Sequence, residues 1–342
     1  MKKVASTASR KADHIRINLE EDVQSGIDNG LGKFRFPHEA LPEFDLADVD
    51  LGTVFFQRAL RAPILISSMT GGTRQARSIN RALALAARRT GAAMALGSLR
   101  SAIEDPDLAD TFRVRDVAPE ILLMANLGAV QLNHGYTVDH CRRAVDLVQA
   151  DALILHLNPL QEALQPEGEA VFAGLLQKIE AVCRTLPVPV VVKEVGWGIS
   201  GPTARRLVSA GVAAIDVAGA GGTSWSQVEK HRHRNEHSAR LASSFVDWGI
   251  PTAQALIDCR SALPRIPLIA SGGIRTGVEA AKCIALGAQM VGIAGPLLQA
   301  AVKGEDAATT VLQRLVAEMR ITMFAAGVRD LGALAALPLQ TA

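Results

Sequence analysis

Aromatic residues are scarce: they make up 4% of the 342 positions, with one tyrosine and three tryptophans. The 49% of the chain that is hydrophobic is therefore mostly Ala, Leu, Val and Ile, the composition of parallel strands buried on both faces and of helices packed over them. Cysteine is scarce too. Cys141, Cys183, Cys259 and Cys283 lie far apart with no Cys-x-x-Cys pair, which speaks against a zinc knuckle or a disulfide framework and fits a reducing, cytoplasmic setting. There is no charge excess of either sign: the net charge of +2 gives no general reason to expect nucleic acid or a membrane surface as partner, although a local anionic ligand remains open. An apolar leader is missing as well, because the start, Met1-Lys2-Lys3, runs into Arg10, Lys11, Asp13, His14 and Arg16. Residues 283–302 carry no charge, but Gly287, Gln289, Gly292, Gly295, Pro296 and Gln299 divide them into helix end, strand and loop, so a membrane span is not expected.

What the chain does contain is an alternation of short apolar runs and helical stretches. Strands are expected over 62–68, 92–96, 121–125, 152–155, 188–192 and 214–217, and two more at Ile269-Ala270-Ser271-Gly272-Gly273 and Met290-Val291-Gly292-Ile293-Ala294-Gly295. Helices are expected over 76–89, over 138–149, from about Pro202, and over 306–326. Eight strand-then-helix units argue for α/β architecture of the closed (β/α)8 TIM-barrel type, and no shift in composition marks a second domain. Residues 1–342 are thus read as one barrel domain. Residues 1–60, polar and poorly periodic, are read as an N-terminal arm and a floor, with the barrel core starting after Leu60.

In such barrels the working groups sit at the C-terminal ends of the strands, and phosphate is held by the loops after strands seven and eight. The glycines after those two strands, Gly272-Gly273 and Gly295, would let backbone N–H groups approach an anion at helix starts. Other strand ends present polar groups to the same mouth. Lys193 follows a valine-rich run and offers a fixed cation. His156, Asn158, Gln161 and Glu162 form the densest polar cluster; Asn and Gln supply paired donors and acceptors, and one carboxylate together with phosphate oxygens is the usual way to hold magnesium. The turns Ser68-Met69-Thr70-Gly71-Gly72 and Gly221-Gly222-Thr223-Ser224 offer hydroxyls and N–H groups to a cofactor, or else cap helices. Arg10, Lys11 and His14 form a compact basic set, ordinarily a solvated arm. The charge run 230–237 (KHRHRNEH) lacks a carboxylate pattern for zinc and is expected as a solvated or mobile loop.

Taken in order, Ser9-Arg10-Lys11-Ala12-Asp13-His14, Met69-Thr70-Gly71-Gly72, Gly97-Ser98-Leu99-Arg100, His156-Leu157-Asn158-Pro159-Leu160-Gln161-Glu162, Gly221-Gly222-Thr223-Ser224-Trp225 and Ser271-Gly272-Gly273-Ile274-Arg275 resemble the type 2 isopentenyl-diphosphate isomerases. The resemblance runs from about residue 6 to beyond Pro296. It implies an FMN-dependent isomerase of isoprenoid synthesis. The FMN phosphate would sit among Gly272, Gly273, Ala294 and Gly295, with Arg275 at the same turn. Ser68, Met69, Thr70, Ser98, Asn126, Lys193 and Thr223 would surround the flavin. Arg10, Lys11, Ser98, Leu99, Arg100 and Gln161 would bind the substrate diphosphate, His156, Asn158 and Gln161 would form the catalytic set, and Glu162 would hold Mg2+. NADPH would serve to reduce the flavin, and a homo-oligomer, tetramer or octamer, is implied. Two positions depart from the family pattern. Leu99 stands where a polar residue is common, leaving only a backbone contact, and Ala218 stands where Ser is often seen.

Two rival readings accompany this one. FMN-dependent 2-hydroxy-acid oxidases share the barrel and phosphate cup, but use a histidine base in a His-Gly-Gly-Arg-type turn, whereas here Gly221-Gly222 is followed by Thr-Ser-Trp. A non-catalytic flavin- or phosphate-binding barrel would not need the cluster at 156–162.

Overall fold

Short β-branched and alanine-rich runs at eight places form the strands of a closed parallel barrel: β1 (Ile64–Ile66), β2 (Ala93–Ala95), β3 (Leu123–Gly128), β4 (Ala152–His156), β5 (Val190–Lys193), β6 (Ala214–Asp216), β7 (Leu268–Ser271) and β8 (Met290–Ile293). The computed structural model describes residues 7–341. Sequential strands pair in parallel, and β8 closes on β1 with Gly292 opposite Leu65. Side chains alternate across each strand. In β5, Val190 and Val192 join the layer under the helices while Val191 faces the barrel interior with Leu65, Met124, Ile154 and Ile269. Both faces are buried, which is why these strands read as unbroken apolar runs.

The crossover helices follow local rules. Helix Arg74–Thr90 starts where the Thr73 hydroxyl accepts from Ala76 N–H, and stops at Gly91, whose φ of 71° favours glycine. It buries Ile79, Leu83 and a row of alanines, and the closing helix Glu305–Ala325 packs on it. Helix Gly277–Ala285 begins with a capping box between Thr276 and Glu279.

Several expectations need correction. The third strand is Leu123–Gly128, displaced from 121–125, because its ladder with β4 runs on until Gly128 stands opposite His156. Asn126 is therefore a strand residue, not the start of a loop. The first strand is only Ile64–Ile66. The barrel strands begin after Leu60, but the residues before it are not merely a polar arm: Ile15, Ile17, Leu31, Val49 and Leu51 are 3%, 1%, 0%, 2% and 1% exposed. The arm is a helix, Thr7–Glu20. Its periodicity is weak because two sides are covered: Ile15 joins the main core, while Ile17 packs with Val23, Val228 and Trp225. Each such aliphatic side chain contributes about 1.5–3 kcal/mol by burial.

The hairpin Thr53–Phe55/Arg58–Leu60 puts Phe55 and Leu60 against the inward-facing strand residues just before β1 begins. It thereby closes the end of the barrel opposite the strand C-termini. Residues 283–302 divide into the end of helix Gly277–Ala285, β8 and helix Gly295–Ala301, and no helix among the described residues is long and apolar enough to cross a membrane.

Candidate active site

Two residues beyond each inward apolar side chain, the alternation of the strand delivers a different kind of residue to the mouth. Leu65 is followed by Ser67, Met124 by Asn126, Ile154 by His156, Val191 by Lys193, Ala214 by Asp216, Ile269 by Ser271, and Met290 by Gly292. The top layer of the barrel interior is thus a ring of six polar side chains, interrupted by Gly292 at β8, set on apolar layers. Its polar side chains are hydrogen-bonded except that of Ser67, whose Oγ has no partner among the described residues. Asn126 Nδ2 donates to Ser68 Oγ (2.8 Å), which turns Asn126 Oδ1 toward His156 Nδ1 (2.8 Å). Ser271 Oγ donates to Asp216 Oδ1 (2.6 Å), and Lys193 Nζ to the Glu194 carbonyl (2.6 Å). Burial, reinforced by the cations of Lys193, Lys11 and Arg10, pushes the His156 imidazole down to about 3, so the ring is neutral at physiological pH. Its Nδ1–H then donates to Asn126, leaving Nε2 as an acceptor. Burial also raises the Asp216 carboxyl, with Lys193 opposing.

Above this ring lies a cavity of about 410 Å³, within the range of small-molecule and cofactor sites. Ser68, Met69, Thr70, Ser98, Asn126, Lys193, Thr223, Gly272, Gly273, Arg275, Ala294 and Gly295 all line it. The glycines there differ in purpose. Gly272 and Gly273 have φ of 110° and 71°, and an added Cβ would meet Gly219 O at 2.0 Å and Gly221 O at 2.2 Å, so glycine is needed to pack the β7 turn against the β6 turn. At Gly295 a Cβ would meet nothing within 4 Å, and helix Gly295–Ala301 starts without a side-chain cap. That leaves a free backbone donor on the cavity wall. A packed glycine turn facing an uncapped helix start fits the phosphate end of FMN, and the polar ring with Lys193 fits the floor beneath a flavin. Arg275 is exposed and bonded to Gln24 Oε1 and to Gly273 O (3.3 Å).

Within this chain the arm helix supplies the opposite wall of the cavity. Arg10, Lys11, His14, Ile15 and Asn18 all reach the cavity. Lys11 Nζ donates to Ser98 O (2.5 Å) and Ser101 Oγ (3.2 Å) and stands 4.7 Å from the centre of the Phe112 ring. Burial, then the charge of Arg10, lowers Lys11 to about 7. Arg10 is lowered by burial and by the nearby cations Arg100 and Arg232. Glu162 and Glu167 oppose this effect and offset part of the cost of gathering these cations. Arg100 is partly neutralised by Glu104 (2.7 Å) and Glu169 (3.2 Å). The arm is latched by His14 Nε2 against Glu229 Oε1 (3.2 Å), by the His14 ring edge-on to Trp225, and by Thr223 Oγ1 donating to Asn18 (3.3 Å).

Helix Pro159–Leu164 carries the remaining cluster. Asn158 Nδ2 donates to Gln161 Oε1 (3.1 Å) and Glu162 Oε1 (2.9 Å), while Asn158 Oδ1 is buried without a partner. Glu162 Oε2 accepts from Gln165 Nε2 (2.6 Å) and Glu169 N–H (2.7 Å). No group of three His, Cys, Asp or Glu among the described residues could enclose a metal ion. Both Glu162 oxygens accept hydrogen bonds from within the protein.

Leu99 is the expected residue that does not reach the site. It is 0% exposed, and its N–H, the only backbone donor it could offer, is taken by Asn126 O (2.8 Å). The charge run is also corrected: Lys230, His231 and Arg232 end helix Trp225–Arg232, and Arg232 and His233 are bonded inward, leaving only 234–237 exposed. Ser67, Asp216 and Glu229 lie in or against the polar network, although no motif marks them. Counting two residues on from the inward apolar position of each strand would have found the first two.

Residues 148–340 match the family model described as FMN-dependent dehydrogenase. Curated relatives named isopentenyl-diphosphate delta-isomerase include one from a Nostoc species, 55% identical over 94% of this chain and 93% of that protein. Another, from Stutzerimonas stutzeri, is 54% identical over 96% of each. Among solved structures, a mandelate oxidase variant with a monooxide FMN adduct superposes with a TM-score of 0.69 at 23% identity, covering 96% of this chain and 95% of that one. At that identity the likeness extends to the fold alone. The sequence relatives carry more: at this identity and coverage, the chain belongs to the isopentenyl-diphosphate delta-isomerase family, built on the FMN-dependent dehydrogenase barrel.

Proposed function

We propose that the chain, working as one domain, is an isomerase that moves the double bond of isopentenyl diphosphate to give dimethylallyl diphosphate. The observation that carries this reading is a single cavity bounded on one side by the glycine turns and Lys193 and on the other by Arg10 and Lys11 from the chain's own arm. The first side suits FMN and the second suits a diphosphate.

In this reading Arg10, Lys11, Ser98 and Arg100 hold the diphosphate, and Glu162 holds Mg2+ against its oxygens. Gly272, Gly273, Ala294 and Gly295 hold the FMN phosphate; Ser68, Met69, Thr70, Asn126 and Thr223 border the flavin. Bound in its reduced form, FMN supplies an electron-rich N5 edge suited to acid–base work or to stabilising developing positive charge. Lys193 steadies negative charge from the end of β5. His156, neutral and fixed by Asn126, offers Nε2 as an acceptor, and Asn158 and Gln161 orient the allyl group through their amides. The arm helix covers the mouth and excludes water. Because the rearrangement transfers no net electrons, NADPH is needed only to keep the flavin reduced. A homo-oligomeric, cytoplasmic enzyme completes the proposal.

Proton NMR of isopentenyl diphosphate incubated with the FMN-loaded, reduced protein and Mg2+ tests it: dimethylallyl diphosphate should accumulate. Reduced flavin bound without conversion would refute the assignment.

A further inference from the structure

The basic run that ends helix Trp225–Arg232 has a role in the cavity that its composition conceals. Arg232 is 4% exposed along its side chain. Its Nη1 donates to Glu229 Oε2 (2.6 Å), and its Nη2 donates to both oxygens of Glu167 (2.9 and 3.1 Å). Glu229 is wholly buried, and its second oxygen, Oε1, accepts from Gln161 Nε2 (3.0 Å) and faces His14 Nε2 (3.2 Å). An ionised carboxylate only accepts. Gln161 must therefore turn its NH2 toward Glu229 and its carbonyl toward Asn158, whose NH2 is consumed by Gln161 and Glu162. The buried, unpartnered Asn158 Oδ1 is what this chain of bonds leaves over. One residue on, His233 Nε2 donates to Leu164 O (2.8 Å) and ties down the end of the helix that carries Gln161 and Glu162.

We propose that Arg232 is a positioning residue for the isomerase reaction: through Glu229 it sets the direction in which the amides of Gln161 and Asn158 face the cavity. Glu167 holds Arg232 in place, and His233 anchors the helix it acts on. The proposal rests on the isomerase reading for its kinetic consequence, but not for the amide geometry itself.

The groups facing Glu229 are His14 from the arm helix, Arg232 from its own helix, and Gln161 from helix Pro159–Leu164. Burial alone would raise the Glu229 carboxyl; the His14 hydrogen bond and charge, Arg232 and Gln161 together bring it to about 2. Without Arg232 the burial effect gains ground and the carboxyl moves up. A protonated Glu229 becomes a donor, and Gln161 must then reverse its amide.

The test uses FMN-loaded full-length protein in four forms: wild type, Arg232→Met, Arg232→Lys and Glu167→Gln. In Arg232→Met, kcat should fall about ten- to hundredfold with flavin content unchanged, as for loss of an outer-shell orienting group. Its kcat profile should gain an acid limb at higher pH than wild type, and Arg232→Lys should restore most of the rate. A second readout needs no turnover. The side-chain NH2 resonances of Gln161, identified by their disappearance in Gln161→Glu, should shift with pH in Arg232→Met through the same transition and stay constant in wild type. A variant within about twofold of wild type with an unchanged profile overturns the proposal, as does a pH-independent loss that lysine does not rescue. If Arg232→Met fails to fold, Glu167→Gln decides: a displaced acid limb or moving amide signals support the proposal, and unchanged ones overturn it. Wild-type protein that binds reduced flavin but does not isomerise would count against the reaction, while the amide signals would still decide the positioning.

Discussion

Replacing Lys11 by methionine isolates one cation in the cavity while keeping the length and apolar stem of the side chain. Burial and the charge of Arg10 hold Lys11 at about 7. The sign is that of a base whose folded-state value is depressed: the ammonium exists mainly below about pH 7 and is lost above it. By pH 8 roughly one molecule in ten, and by pH 9 roughly one in a hundred, still carries the charge. A charge-assisted contact to a diphosphate is worth about 1.5–3 kcal/mol, or about tenfold to a hundredfold in affinity. In kcat/KM for isopentenyl diphosphate, wild type should therefore exceed Lys11→Met by at least about tenfold at pH 6. The ratio should shrink as pH passes 7 and approach one near pH 9. Ionisation of the substrate itself is common to both proteins and cancels in the ratio. A ratio that stays constant from pH 6 to 9, or equal values at pH 6, would refute the clamp. Stability gives an independent check. An unfolded lysine keeps its proton up to its ordinary value of 10.5, so folding of wild type gains stability as pH rises from about 7 toward 10.5. The pH slope of Tm in that window should be flatter in Lys11→Met.

Other outcomes follow from distances already given. Gly273→Ala would put a Cβ 2.2 Å from Gly221 O at a φ of +71°, so it should release FMN and lower Tm; full flavin content after gel filtration would contradict the account of that turn. Glu162→Gln should raise the Mg2+ concentration needed for half-maximal rate while flavin stays bound, read by metal titration; loss of flavin along with activity would place Glu162 in the scaffold of the cup. Deleting residues 1–14 should raise KM and lower Tm, because the latch of His14 on Glu229 and Trp225 goes with the cations. An unchanged Tm would mean that the arm helix is held without it.

The order of the eight strands, the glycine turns after the last two and the closing helix were legible because each depends on contiguous residues: a β-branched run, a glycine, a helical period. What escaped depends on contacts between distant segments. The arm helix hides its period because Ile15 and Ile17 are buried against different neighbours. Arg232 reads as a solvated cation because one of its carboxylates, Glu167, comes from the unit after β4. Asp216 sits in an apolar run and looks like its end, since only the barrel's closure turns it inward beside Ser271. Leu99 shows the converse. The motif around it matches the family, yet its side chain faces the core and its N–H is already bound.

The confinement of polar groups to one ring of the barrel interior separates two kinds of inheritance. Below it, Leu65, Met124, Ile154, Val191, Ala214, Ile269 and Met290 need only keep volume and shape, and any chemistry run from the mouth could share them. Above them, a new reaction could be specified by rewriting about one residue per strand, without disturbing the barrel's closure. That division is a physical reason why a chain of this family and a mandelate oxidase at 23% identity can hold the same backbone.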